Sequence, residues 1–92
     1  MEFEWDREKD RENQLKHGVA FEEASTVFGD GSAITINDPD HSMDEQRFLT
    51  TGYSNRQRLI IVAHTDRDEG IRLISAREVT QAERHVYEEE QR

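Results

Sequence analysis

Gln57-Arg58-Leu59-Ile60-Ile61-Val62-Ala63-His64-Thr65, then Asp66-Arg67-Asp68-Glu69, then Gly70-Ile71-Arg72-Leu73-Ile74-Ser75-Ala76-Arg77: residues 57–77 decide the architecture. Two runs rich in β-branched residues flank a polar link, and a link this short joins neighbouring strands only as an antiparallel hairpin. Upstream, residues 45–53 form a third strand, joined to the pair by Ser54-Asn55-Arg56, and residues 33–36 a short fourth. At the start of the chain, Phe3 and Trp5 alternate with Glu2 and Glu4, as in a brief strand with one buried face.

The helices are marked by their ends. Asp6 is placed to cap a helix over residues 7–16, a polar segment whose single large apolar residue, Leu15, implies a narrow packing seam. Lys16 and His17 favour its negative end, and Gly18 suits the left-handed residue that closes it. Residues 19–28 then carry Phe21, Ala24, Val27 and Phe28 at helical spacing. Gly29-Asp30-Gly31 stops that helix, and Asn37-Asp38-Pro39-Asp40-His41-Ser42 is turn chemistry rather than a metal cluster. Thr80 with Glu83 three residues on is a capping box for a last helix that buries Ala82, Val86 and Tyr87 and frays at Glu88-Glu89-Glu90. The expected fold is α+β over residues 1–92 as one domain: an antiparallel sheet, two N-terminal helices and one C-terminal helix.

Composition narrows the function. Without cysteine there is neither a disulfide nor a thiolate nucleophile or metal site. The N-terminus has no basic or apolar leader, and the longest apolar run, residues 59–63, is far too short to span a bilayer, so a cytoplasmic location is expected. Twelve cations against 21 acids give a net charge of −9, unevenly spread: residues 1–45 hold 4 basic and 13 acidic residues, residues 46–85 hold 7 and 5, and residues 86–92 hold 1 and 3. No basic helix is present, so direct DNA binding is not expected. The 13 acids of the first half would steer a basic partner, or simply solvate a helix face. Ten of the 12 cations are arginine, whose planar fork grips phosphate or carboxylate in a bidentate manner. Arg72 and Arg77 lie inside an otherwise apolar strand, where a buried charge is costly unless an anion meets it. Strict alternation puts them on opposite faces, so either the strand bulges or ends near Ser75, or only one of them lines the groove and the other pairs with a core acid such as Glu83.

The succession Phe3, Trp5-Asp6, Lys9, Asn13, Lys16-His17-Gly18-Val19, Phe21-Glu22-Glu23-Ala24, Val27-Phe28, Glu45, Arg47, Gly52, Arg58, Thr65 and Ile74-Ser75-Ala76-Arg77 resembles the BrnT family of type II toxins across nearly the whole chain. The resemblance implies a RelE-like fold and a metal-independent ribonuclease that arrests translation. It also implies neutralisation by a BrnA-type antitoxin with a DNA-binding ribbon-helix-helix segment. No cofactor is implied.

RNA cleavage without a metal needs a proton acceptor, a proton donor and cations around the phosphate. His17 is either such an acid or base or a helix cap. Glu45 is a candidate base two residues from Arg47, and Arg72 and Arg77 complete the candidate catalytic set. Lys16, Arg47 and Arg58 are candidates for holding substrate. Arg58 and His64, six residues apart, lie on the order of 20 Å from each other along a strand and cannot serve one phosphate. The competing reading is a binding module whose arginines grip an acidic protein without breaking a bond.

Overall fold

A computed structural model describes residues 1–40 and 46–91. The order is β1 (Glu2–Glu4), α1 (Arg7–His17), α2 (Phe21–Ser25), a 3₁₀ turn (Thr26–Gly29), β2 (Ile34–Asn37), β3 (Phe48–Tyr53), β4 (Leu59–Arg67), β5 (Gly70–Glu78) and α3 (Gln81–Glu90). The strands form one sheet ordered β1-β5-β4-β3-β2. Pairing is antiparallel from β2 to β5, and the short β3–β4 and β4–β5 links require it. β1 joins β5 in parallel, Phe3 opposite Ile71, so the chain's first strand lies beside its last.

One face of the sheet carries Ile60, Val62, Ile71, Leu73 and Ala76 against Val19, Phe21, Ala24 and Val27, with Phe3, Trp5 and Phe28 packed on this core. The caps are as read: Asp6 accepts from the Glu8 amide, and Gly18 closes α1 at φ 69°. The seam of α1 is not Leu15, which is 84% exposed; the one buried side chain of the helix is Asn13. Its amide donates to Val19 O and Ala76 O, both at 2.8 Å, and its carbonyl accepts from Ala76 N at 3.1 Å. β1 accompanies β5 only over Gly70–Arg72. At Ala76 the Asn13 side chain supplies the donor and acceptor that a longer strand would have offered.

The helix expected over residues 19–28 is shorter and tightens partway. It starts at Phe21, whose amide is capped by Asp10 Oδ1 at 2.9 Å from the preceding helix. The Ser25 and Thr26 hydroxyls donate back to Glu22 O and Glu23 O at 2.7 and 2.6 Å, and the chain continues as 3₁₀. β3 begins at Phe48 because its partner β2 ends at Asn37, ahead of Pro39; one bond, Asp38 N to Arg47 O, lies beyond. β4 begins at Leu59, since Gln57 at φ 62° belongs to the preceding turn. Asp38 accepts from Asp40 N at 3.0 Å, a side-chain turn consistent with the loop reading, while His41 and Glu45 lie outside the described residues.

The capping box of α3 forms in full. The burial expected of that helix does not: Ala82 is exposed and Val86 is 61% exposed, while Tyr87 alone is buried. α3 meets the sheet through Glu83, which holds Arg77, through Arg84, whose Nη1 reaches the Tyr53 hydroxyl at 3.4 Å, and through Tyr87, whose ring lies against that of Tyr53. Nor does it fray at Glu88; it runs to Glu90, and Gln91 Nε2 donates to Ser32 O.

Candidate functional site

The pairing of β4 with β5 slips between Ala63 and His64: Ala63 lies opposite Ser75, His64 opposite Leu73, and Ile74 is the extra residue of a bulge. Ile71, Leu73 and Ala76 all belong to the core beneath the N-terminal helices. The bulge therefore resets the alternation, so that Arg72, Ser75 and Arg77 all project to the opposite face. The expected conflict between the two arginines is resolved on the backbone. Between them lie roughly 15 Å of strand, so they address different points along an extended ligand.

Arg77 also meets the acid that the sequence suggested. Its Nη1 and Nη2 donate to the two oxygens of Glu83, each at 2.8 Å, and Nη1 also reaches Glu78 O. The Arg77 fork, with the Thr80 amide as a further donor, holds Glu83 down at a pKa of about 2, and the same pair raises Arg77. Glu83 is thus a fixed anion at neutral pH and no proton acceptor. Arg72 is half-buried and forms no ion pair or side-chain hydrogen bond among the described residues. Arg47, one residue before β3, is likewise half-buried and without a side-chain partner among them.

The remaining candidates lie elsewhere. Lys16 and His17 end α1, which packs on the other face of the sheet through Asn13. Arg58 is also on that side and fully engaged. Its Nε donates to Glu23 Oε2 at 2.9 Å, a second short bond joins its Nη2 to Glu23 Oε1, and it also reaches Gly18 O and Glu78. Glu23 is buried, accepts from Ser54 as well, and is lowered chiefly by the Arg58 bond. Arg58 is therefore a bolt between the start of β4 and the α1–α2 turn, not a free phosphate ligand. Sequence reading missed it because Glu23 sits on an apolar helix face, where a carboxylate announces no partner 35 residues away.

His64, also facing the helices, is buried between the rings of Phe28 and Phe48, with Nε2 2.7 Å from Thr50 Oγ1 and burial lowering its pKa. The Tyr87 phenol, raised by burial and by Asp30 beside it, stays protonated at neutral pH and contacts Asp30 and Ser32 O. Among the described residues, no three His, Asp or Glu side chains converge to hold a metal, and no helix is long and apolar enough to cross a membrane.

Beside the arginine row lies a feature absent from the sequence reading. Ile34, Ile36, Leu49, Thr51 and Ile61 form the floor, and Ala82, Val86 and Tyr87 the wall, of an open apolar groove of about 520 Å³. Arg77 pairs across the ladder with Ile61, so groove and arginines share one face.

Residues 5–83 match the family model described as the ribonuclease toxin, BrnT, of type II toxin-antitoxin systems. The chain belongs to the BrnT family. Its fold is similar to the crystal structure of the Brucella abortus ribonuclease toxin BrnT, with 25% sequence identity and a TM-score of 0.68 over 88% of this chain and 99% of that one. A comparison with curated proteins finds no match. BrnT membership accounts for the α+β arrangement and makes this a ribonuclease toxin of a type II system. The matched region includes β5 and the first turn of α3, and so both members of the Arg77–Glu83 pair.

Proposed function

We propose that this BrnT chain cleaves RNA without a metal ion, on the sheet face that carries Arg72 and Arg77, and thereby blocks translation in the cytoplasm. The observation that carries the reading is the bulge at Ile74, which brings both arginines to one face and leaves Arg72 without an anion among the described residues. In this reading Arg72 and Arg47 hold phosphates flanking the scissile bond. Arg77, permanently charged and fixed by Glu83, stabilises the negative charge that builds on the reacting phosphate. The 2′-hydroxyl attacks the phosphorus as it loses its proton, and the P–O5′ bond breaks as the leaving 5′-oxygen takes a proton from a solvent water, giving a 2′,3′-cyclic phosphate and a 5′-hydroxyl. Glu45, two residues from Arg47 in sequence, is the proposed proton acceptor. His17 and Lys16 are left out of this site, since α1 packs on the far face. The neutralising partner is a BrnA-like antitoxin carrying a ribbon-helix-helix segment, which covers the same face.

The test is cleavage of a defined RNA by purified protein in EDTA, with Arg72→Ala and Arg77→Ala variants. Loss of one such cation is expected to slow cleavage by about 10²–10³-fold, and for Arg72→Ala to leave the melting temperature unchanged. Cleavage within twofold of the unmodified chain in both variants would refute the assignment. Folded protein that cuts nothing but still captures an acidic partner would establish the binding-module reading instead.

A further inference from the structure

We infer that the free edge of β2 pairs with the same edge of a second copy of this chain, antiparallel about a two-fold axis at Ile36, so that two sheets become one. β2 ends the sheet and is hydrogen-bonded to β3 on one side only. Asp38 N donates to Arg47 O in the β2–β3 register, and alternation then makes Ile34 and Ile36 the residues of β2 bonded to β3. The amides and carbonyls of Thr35 and Asn37 therefore point outward, where nothing meets them among the described residues. Both residues are exposed. Edge strands are ordinarily guarded by charge or proline. Here Gly31-Ser32-Ala33-Ile34-Thr35-Ile36-Asn37 holds neither, in a chain that is 36% charged.

The occupant follows from which groups are free. A second β2 must bond to Thr35 and Asn37, and the two-fold axis can lie at Thr35, Ile36 or Asn37. With the axis at Thr35, Asn37 would need Ala33 of the other copy, whose amide already donates to Asp30 O at 3.0 Å. With the axis at Asn37, Thr35 would need Pro39, which has no amide. The axis at Ile36 joins Thr35 of each copy to Asn37 of the other, and every outward donor finds an acceptor. It also sets Ile36, which is 55% exposed, opposite itself in the closer, non-hydrogen-bonded kind of pair. Ile36 lies in register with Leu49, and Leu49 with Ala63, so an apolar row runs across the axis from one sheet into the other. An unrelated strand could match the backbone, whereas a second copy supplies the facing isoleucine by symmetry. The net charge of −9 on each copy opposes the pairing, and the strand is short, so the dimer is a weak one that salt strengthens.

The experiment is sedimentation equilibrium of the full chain, purified alone, over about 10–500 μM, a range suited to so small an interface. A monomer–dimer equilibrium is expected, and raising salt from about 0.05 to about 0.5 M should tighten it roughly threefold or more by screening like charges. Asn37→Pro removes an amide that β3 does not use, and should weaken the dimer about tenfold or more while the circular dichroism spectrum stays native. Ile36→Lys and Ile36→Glu each set like charges against each other at the axis, so each alone should be monomeric. Their equimolar mixture should dimerise again, because opposite charges rescue only a residue that meets itself. A chain that stays monomeric over the whole range, a dimer that Asn37→Pro leaves within about twofold, or a mixture no more associated than either variant alone would each overturn the proposal. A dimer weakened by Val86→Glu but not by Asn37→Pro would overturn it too, since it would be built on the groove instead. No RNA is present in any arm, so the pairing and the ribonuclease reading are tested separately.

Discussion

Replacing Asn13 by alanine should cost this protein more than any surface change of similar size. Asn13 is the one buried side chain of α1, and it makes three buried hydrogen bonds, two to Ala76 and one to Val19 O. Each is worth about 1 kcal/mol net, and the truncation leaves the Ala76 amide and carbonyl and the Val19 carbonyl buried without their partner, which adds to the loss. Alanine returns about half a kcal/mol as the better helix former. The expected destabilisation is about 3–4 kcal/mol. In a domain of this size each kcal/mol moves the melting temperature by roughly 4–8 °C, so a fall of about 12–30 °C is expected. Thermal and urea unfolding followed by circular dichroism measure it, with Leu15→Ala as the control that should change stability by under about 0.5 kcal/mol. A loss below about 1 kcal/mol for Asn13→Ala would refute the claim that a side-chain amide, not apolar packing, fixes α1 to the sheet.

Other expectations concern acid, base and space. Glu83 has its pKa lowered from 4.5 to about 2 in the fold, so the stability it confers is fully present above about pH 4.5 and is lost as pH falls toward 2. Both partners are more than a third exposed, so screening leaves roughly 1 kcal/mol of this; acid unfolding of Glu83→Gln should lack that segment, and an unchanged acid limb would exclude it. His64 has the opposite proton balance: its folded pKa lies below the ordinary 6.5, so the unfolded chain takes up the proton first and stability declines as pH drops below about 6.5. In His64→Leu, urea midpoints should be flatter between pH 6.5 and 5, Thr50 keeping Thr35 as partner. At Gly52 an added Cβ would lie 2.9 Å from Ala33 Cβ and 3.1 Å from Val27 Cγ1, so Gly52→Ala should cost about 1–3 kcal/mol by denaturant titration, and a neutral result would show that the β2–β3 region yields.

What could be read ahead of the structure was local chemistry. Asp6, Gly18 and the Thr80–Glu83 box announce helix ends because a cap is settled within four residues, and the β4–β5 hairpin because a short polar link leaves one topology. The conflict between Arg72 and Arg77 was legible too, together with both of the devices that the structure uses, a bulge and the Glu83 pair. What escaped was long-range and polar. No periodicity marks Asn13 as a substitute strand, or Glu23 as the anchor of Arg58. The packing of α3 was misread because Ala82 and Val86 at helical spacing look like a core face, whereas they wall an open groove. The site divides accordingly: Arg72 and Arg77 share a face, whereas His17, Lys16 and Arg58 belong to the helical side.

The parallel pairing of β1 with β5 also sets a schedule for synthesis. Phe3 is made well before Ile71, its partner on β5, and must wait for it; Asn13 must wait in the same way for Ala76. Local helices can form earlier, but the sheet that presents Arg72 and Arg77 closes only once β5 has emerged, because contacts so distant in sequence form late. Until then a chain on the ribosome lacks the face that carries the two arginines. The interval before β5 pairs is the window in which a partner already present can meet the newly made protein.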